Sequence, residues 1–500
     1  MAGDVSQVSP LPSPPPEYRG REKSHAAGVG QQILSHPYTV VSTITLLIMG
    51  IGAVLKKGSA WNSIQVGAAS LLLHGKDFYH QIGGFTYPPF DAFFATPFAL
   101  MNARLARSAW YIISVISLVY LVRKSWQLAG GPPVEPGKGR PAAPPREQIA
   151  FLLGNLIAVQ FALNALSHLQ SDLLIAALIM AGCGAMMAGR FIRSATWIGL
   201  AAAFKATPLL FAPYLLWRRK PLAAGWLIAI AIGVNLLPNL VHSPPSGGLW
   251  LTQWAHRYLE PMTRSQYLPG DWKNQLNNNQ AIAGATRRWT GTTWKAAPGD
   301  FKVFDRPNGP SPATIRNVYY GSCLLILIPA LWLAWKRWGA RDVARHDSGG
   351  TGLRQSSVER VSPVLAAPAA DDRQHGRDAH ATDRPVRPDP RLIECGIILL
   401  LMLLLSPNSS IAHFCVMYLP AFCVARIVVY EDRPVLGALF GLAVLCAVLS
   451  IRLRLPVTYV PEQVLLWLGI VTFSTIFLML ACVIALGSKT GPPSRQVARE

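Results

Sequence analysis

The sequence predicts an all-α integral membrane protein: a polytopic bundle of about 10–12 membrane helices, with interfacial helices and large polar loops on one face. Three observations carry the prediction. Of 500 residues, 51% are hydrophobic and only 14% are charged. Apolar runs of ~17–25 residues, the length needed to cross a hydrocarbon core of ~30 Å, recur along most of the chain. The excess of Lys and Arg, a formal +21, gathers in short blocks at the ends of those runs. That placement follows the positive-inside rule, so the charge reports topology and not a nucleic-acid partner.

The elements follow in chain order. Residues 1–36 are rich in Pro, Ser and charge and lack the apolar core of a cleavable signal peptide; they read as a disordered cytoplasmic tail. A membrane domain is expected over 37–338, its first span covering about 37–55. "SAWNSIQVGAASLLLHGKDFY" alternates apolar and polar residues as an interfacial helix would, and a Tyr87-Pro88-Pro89 step leads into an apolar stretch to Met101. Further spans are expected near 108–122, 148–166, 171–189, 194–217, 221–241 and 315–336. Residues 123–147 form a basic cytoplasmic linker. Segments 57–87 and 242–313 form loops on one side, the extracytoplasmic one. Residues 339–390 lack apolar periodicity and read as a disordered cytoplasmic linker. C-terminal membrane helices occupy 391–487, near 392–405, 410–429, 433–451 and 463–486, and 488–500 is a tail.

The charges expose a topological conflict. If every run crosses, the linker 123–147 falls on the outside; if 85–102 does not cross, Arg218, Arg219 and Lys220 move out, unless 194–217 is a hairpin. Pro88, Pro89 and Pro97 in one run, and Lys205 with Pro208 in the other, make broken or re-entrant helices the natural solution.

The seven cysteines lie in or beside apolar runs with no CxxC pair, so they read as small core residues, and no metal site or cofactor is expected. A polytopic chain with polar loops on one face can be a transporter, a channel or an enzyme acting on lipid-linked substrates. No internal repeat is visible, and the polar clusters lie in loops and at helix ends, not at the midplane where transporters keep theirs. Four clusters stand out. "HGKDFYHQIGGFTYPPFD" holds Asp77, Tyr87 and Asp91. "NALSHLQSDLL" holds Gln170 and Asp172. Lys205, deep in an apolar run, needs a cavity, a partner or a phosphate. "GDWKNQLNNNQAIAGATRRW", with Asn279, Gln280, Arg287 and Arg288, combines amides and aromatics that suit sugars with guanidinium that suits phosphate; "LLLLSPNSSIAHF" adds His413. The plainer alternatives are a surface loop for the first, a polar interhelical turn for the second, snorkelling to an interface for Lys205 and a structural histidine for His413.

Taken in order, "GKDFY … FTYPP", "AFKATPLL … WRRK", "NNQAIAG … RRW" and "LLSPNSSIAHF" resemble glycosyltransferase family 87, from about residue 40 to 430. The resemblance implies a GT-C membrane fold and a mannosyltransferase-like hexosyltransferase. Such an enzyme takes its sugar from a polyprenyl phosphate on the extracytoplasmic side, generally with inversion, and passes it to a lipid or glycan acceptor. Membrane lipids would be its surroundings, a bacterial plasma (inner) membrane its location, and no nucleotide sugar is involved. A base must take the acceptor proton, and cationic or amide donors must stabilise the departing phosphate. The resemblance places a carboxylate in the first extracytoplasmic loop and makes His413 a second active-site group, orienting or stabilising. Lys205 with Arg287 or Arg288 would then stand near the phosphate, and Tyr87, Asn279 and Gln280 would shape the sugar pocket.

The chain departs from the family pattern in three places. Trp61-Asn62 stands where an aspartate is usual, about 14 residues before the glycine equivalent to Gly75, and an asparagine cannot act as a general base. Asp77 is then the leading candidate for the base, with Asp91, Asp172 or Asp271 as alternatives. A Gly-Gln-x-Asn element appears as Leu169-Gln170-Ser171-Asp172, and a His-His pair as Ala412-His413. A lipid-linked-sugar flippase and a non-catalytic family member are the competing readings.

Overall fold

A computed structural model of the chain describes residues 37–56, 58–132, 143–264, 267–269, 278–290, 293–296, 301–305, 309–347, 387–451 and 459–487. The two terminal tails, most of the 339–390 linker and Asp271 lie outside the described residues. The chain divides into two compact units, Met1–Lys57 and Gly58–Glu500. The first contributes one apolar helix, α1 (Pro37–Leu55).

In the second unit the long helices are α2 (Ala103–Leu128), α3 (Pro145–Ser167), α4 (Asp172–Met187), α5 (Phe191–Phe204), α6 (Phe211–Trp217), α7 (Pro221–Leu236), α8 (Pro312–Asp347), α9 (Pro390–Leu404), α10 (Tyr418–Tyr430), α11 (Pro434–Leu449) and α12 (Ile470–Gly487). Among the described residues six segments are long and apolar enough to span a bilayer, and shorter apolar helices such as Asp172–Met187 and Pro434–Leu449 pack beside them. The protein is a polytopic helical membrane protein. Five of these helices begin with Pro, where its missing N–H costs nothing and its fixed φ favours the helix.

Two of the apolar runs, 85–102 and the expected span 194–217, are not simple crossings, and this removes the topological conflict. Segment 85–102 forms only two short helices, Pro89–Phe94 and Thr96–Ala99, because Pro97 interrupts a run already begun by Pro88 and Pro89. Segment 191–217 breaks at Lys205, whose backbone is extended (φ −154°, ψ 121°). Contacts between α5 and α7 climb both helices together. Trp226 Nε1 donates to Thr196 Oγ1 at 2.9 Å, and a Cβ on Gly199 would stand 2.8 Å from the Leu227 carbonyl oxygen. Higher up, Asn235 Nδ2 donates to Ala203 O at 3.3 Å. The two helices are therefore parallel, and α6 must return the chain between them as the second arm of a hairpin. The linker after α2 and the Arg218–Lys220 turn then reach the same, basic end of the bundle, and Lys205 reaches the opposite end.

At that opposite end the two long loops pack together. A π-helical turn (Asn62–Val66) and the helix Gly67–Leu73 lead to Phe78, which stacks on Trp250 with ring centroids 4.3 Å apart. Trp254 Nε1 donates to Thr86 O at 3.0 Å, and the Tyr258 hydroxyl to Phe85 O at 2.7 Å. These contacts put 58–87 and 250–259 on one side. The second loop also carries a two-stranded antiparallel hairpin, Thr293–Ala296 with Phe301–Asp305, an addition to the all-helical expectation. Helix α8 runs on to Asp347 and α9 begins at Pro390, so helix enters both ends of the region read as a disordered linker. The last span starts late, since Gly469 (φ 85°) separates Tyr459–Leu468 from α12.

Candidate active site

The site assembles where α3 hands over to α4. The turn closes with Gln170 N donating to Ala165 O at 2.9 Å and requires Leu169 at φ 56°, a conformation costly for a residue with a Cβ. Tertiary contacts hold it there: Leu169 is buried and its carbonyl accepts from Trp110 Nε1 at 2.8 Å. Trp110 in turn stacks on Trp61, 5.2 Å away and 5° from parallel. Trp61, in the Trp61-Asn62 step that stands where an aspartate is usual in the family, therefore braces the turn, and Asn62 bonds Ser59 at the start of its own helix.

The turn sets Asp172 in the first turn of α4, where the helix dipole favours a carboxylate. Its Oδ1 lies 3.2 Å from Lys205 Nζ and 3.6 Å from His413 Nε2. His413 is oriented by a capping box, its Nδ1 accepting from Ser410 N at 3.0 Å. That bond leaves Nε2 as the protonated ring nitrogen, aimed at Asp172. The Cys415 thiol caps the Asp172 carbonyl at 3.7 Å. Asp172, Lys205, Thr207, Ser409 and His413 supply the polar lining of a cavity of about 20 Å³, completed by Ile175, Ile179 and Met402. This is room for about one water.

Asp91 is the second carboxylate of the cluster. It sits in the first turn of Pro89–Phe94, a helix too short to cross a membrane, and is 3% exposed. Phe90 N donates to Asn235 Oδ1 at 2.9 Å, while Asn235 Nδ2 holds Ala203 O and Ala231 O. One buried amide thus ties the short helix to the tops of α5 and α7 and sets Asp91 beside the Lys205 break. Burial, reinforced by the Asp172 charge and opposed by Lys205, pushes Asp91 up to about 8. Its Oδ2 is buried without a hydrogen-bond partner, as are Asp172 Oδ2, Ser171 Oγ and Gln170 Oε1. Tyr87 adjoins the two carboxylates, hydrogen-bonded by Gln65 from the π-helical turn, and its phenol is pushed up first by burial and then by Asp172 and Asp91.

The other expected residues do different work. Asp77 caps the helix Phe78–Gln81, accepting from His80 N at 3.1 Å and pairing with the exposed His80 ring at 2.6 Å. Its carboxylate is used locally, and no contact carries it to the Asp172 cluster. Asn279 spends its side-chain amide on backbone: its Nδ2 donates to Pro407 O at 3.1 Å, and its Oδ1 accepts from Ser409 N at 3.0 Å. Gln280 N donates to Ser409 O at 2.8 Å, and its Nε2 to Leu466 O at 2.7 Å. Arg288 is buried, its Nε donating to Trp467 O at 2.8 Å and its Nη1 to Asn279 O. These three frame the Ser406–Ser410 loop that presents Ser409 and His413; Arg287 lies half-buried on the same helix. Gln65 and Asn235 were not anticipated, because a lone amide in an apolar run carries no pattern that separates a site residue from a packing one.

The sequence profile described as Glycosyltransferase family 87 matches residues 85–351. The chain belongs to that family. Among curated proteins, a polyprenol-phosphate-mannose-dependent alpha-(1-2)-phosphatidylinositol pentamannoside mannosyltransferase of Mycobacterium tuberculosis is 28% identical over 218 residues, covering 39% of this chain and 47% of the relative. The chain thus matches about half the length of that curated relative. No solved structure matches. The family-87 profile begins at Phe85, so it takes in Tyr87, Asp91, Asp172 and Lys205, whereas Asp77 and His413 lie outside it.

Proposed function

We propose that this protein is a membrane glycosyltransferase that moves a hexose, on the relative's precedent a mannose, from a polyprenyl-phosphate sugar to a hydroxyl of a lipid or glycan acceptor. It would work at the loop end of the bundle, taken as extracytoplasmic, in a bacterial plasma membrane. The observation that carries the reading is a buried carboxylate, Asp91, with an unpartnered oxygen and a proton affinity raised to about 8. It stands beside an anchored Lys205–Asp172–His413 group.

In this mechanism Asp91 takes the proton of the acceptor hydroxyl as that oxygen forms its bond to the anomeric carbon. The bond from the anomeric carbon to the phosphate oxygen breaks, the electron pair leaves with the polyprenyl phosphate, and the anomeric configuration inverts. Lys205, an ammonium with three donors and one committed to Asp172, faces the leaving phosphate. Asp172 and His413 hold that lysine and the Ser406–Ser410 loop in register. A base whose affinity lies near working pH combines the correct protonation state with useful driving force. The cavity holds about one water, so a hexosyl phosphate enters only when the loops above it part.

The test is transfer of labelled mannose from polyprenyl-phosphate mannose to a lipid acceptor by the purified protein in nanodiscs. Transfer is expected from the native protein, falling by about 10²–10⁴ in Asp91→Asn, the span general base catalysis supplies. Native-level transfer by Asp91→Asn removes the base assignment. Release of unaltered carrier across the bilayer without transfer replaces the enzyme by a flippase.

A further inference from the structure

A second cavity, of about 270 Å³, opens between the helix Ile282–Thr290, α8 and α12. Its walls are almost wholly apolar: Ile282, Ala285, Trp289, Leu325, Phe473 and Met479. Trp289 and Phe473 stack at 6.0 Å across one side. On the opposite side stands α8, whose Pro312–Leu333 window is only 11% buried within the protein and which turns Leu324, Leu331 and Trp332 outward. Pro329 lines the cavity from inside that helix. A sparsely packed span beside a void of this size leaves the void open to bilayer chains, and an apolar chain is its natural filling.

We propose that this cavity is the slot for the isoprenoid chain of the polyprenyl-phosphate donor, an inference that rests on the transfer reading above. Two observations select that occupant. The slot is joined to the reacting site by a short hydrogen-bonded path: Thr472, in its wall, donates to Gln280 O at 2.7 Å, and Gln280 N donates to Ser409 O at 2.8 Å. Ser409 in turn lines the Lys205 cavity. Next, Arg288, three residues after the slot-lining Ala285 on the same helix, keeps a buried Nη2 without a partner, a donor suited to an anionic group at the head of the chain. The acceptor is a lipid or a glycan, whereas the donor carries an isoprenoid chain in every turnover. A permanent apolar slot beside the site therefore belongs to the donor. Filling it would seat the chain against the residues that hold the Ser406–Ser410 loop, so chain occupancy and loop position are coupled.

The experiment uses the full-length protein in nanodiscs with a polyprenyl phosphate bearing a diazirine in its isoprenoid chain. On irradiation the label is expected within 282–290, 322–329 and 472–480, with competition by unlabelled polyprenyl phosphate and none by diacyl phosphatidylinositol. Ser322 lines the cavity from α8, and the slot-filling variant Ser322→Phe should raise the KM for a long-chain donor by about tenfold, the order that a steric change in an apolar pocket produces. It should leave kcat, and the KM for a donor of two isoprene units, unchanged. Label elsewhere, competition by phosphatidylinositol, or equal effects on long and short donors overturns the slot. Labelling needs no turnover. Label in the slot without sugar transfer keeps the slot and removes the transfer reading; transfer with label elsewhere does the reverse.

Discussion

The two ends of the helical bundle bury the same kinds of side chain in opposite electrostatic conditions. At the basic end, Arg426 grips Glu147 with two parallel hydrogen bonds, Nη2 to Oε1 at 2.7 Å and Nε to Oε2 at 3.2 Å, and spends Nη1 on Ala129 O at 2.6 Å. At the same end, Glu394 accepts from the Tyr214 hydroxyl at 2.9 Å, with Arg218 at 3.6 Å. At the loop end, about 35 Å away along the 23 residues of α3, Asp172 shares one oxygen between Lys205 and His413 and leaves the other unmatched, and Asp91 has an unmatched oxygen of its own. Buried charge that is fully forked acts as a clasp. Buried carboxylates left partly unsatisfied oppose folding, and a site that must accept a proton and a substrate hydroxyl is where such strain is retained. The difference between the ends, more than the presence of charge, distinguishes the working end from the fastening one.

The sharpest way to break this contrast is to neutralise Asp91. Asp91→Asn should lower transfer by about 10²–10⁴, or roughly 3–5 kcal/mol of barrier at 1.36 kcal/mol per decade, without lowering the melting temperature. The sign follows from linkage. The folded-state affinity of Asp91 is raised to about 8, above the ordinary value near 4, so its stabilising contribution is complete below about pH 4 and is lost as pH rises towards 8. Asparagine cannot ionise, so thermal denaturation of the variant should lack that loss. A variant that is both inactive and markedly less stable would make Asp91 a fastening residue like Glu147.

Arg426→Ala should do the reverse. It strands Glu147 in an apolar environment and should cost about 3–5 kcal/mol of stability, read as a lower melting temperature and poor yield, while transfer per folded molecule stays near native. Replacing both partners by apolar residues, Glu147→Leu with Arg426→Met, should recover most of that loss, because the penalty comes from the stranded charge. Loss of specific activity in the double variant would show that the clasp also shapes the site.

A smaller effect comes from pH alone. With Asp91 as base, kcat/KM should climb about tenfold per pH unit below 8 and level off above it, so transfer at pH 6 should be about a hundredfold below the plateau. A profile flat from pH 6 to 9 would assign the base to a carboxylate of ordinary affinity.

Much of this architecture was legible in the sequence, and the reasons differ by element. Apolar runs of span length and prolines in first turns speak through local physics, so the helices could be anticipated, whereas the crossing of 85–102 stayed open between two solutions. The Lys205–Pro208 break was visible too, but its outcome as a hairpin depends on the parallel seating of α5 against α7, which long-range packing sets. Asp172 and His413 stood out as polar groups at the ends of apolar runs and Lys205 as a charge deep inside one, and the structure brings the three together. The amides were less readable. Asn279 and Gln280 have the chemistry of a sugar pocket, yet backbone needing hydrogen bonds presents the same requirement: the Ser406–Ser410 loop takes the Asn279 amide and the Gln280 N–H, and Leu466 O takes the Gln280 Nε2. Asp77 and Asp91 flank one Tyr-Pro-Pro step, and nothing in their spacing says which faces inward. The Phe90–Asn235 hydrogen bond, across 145 residues of sequence, makes that choice.

The smallest expected effect tests that choice directly. Asp77 starts the four-residue helix Phe78–Gln81 and serves as its N-cap, so Asp77→Ala should cost about 1 kcal/mol at most locally. The core beneath, Phe78 and Tyr79 packed on Trp250, should hold the loop in place. Transfer by Asp77→Ala should stay within about twofold of native, with the same pH profile. The profile is the decisive readout, because a displaced loop would lower the rate at every pH alike, whereas loss of the base would remove the ascending limb. If Asp77→Ala abolished that limb while Asp91→Asn kept it, the functional carboxylate would lie on the exposed side of the Tyr-Pro-Pro step. The unmatched oxygen of Asp91 would then be a cost of packing alone.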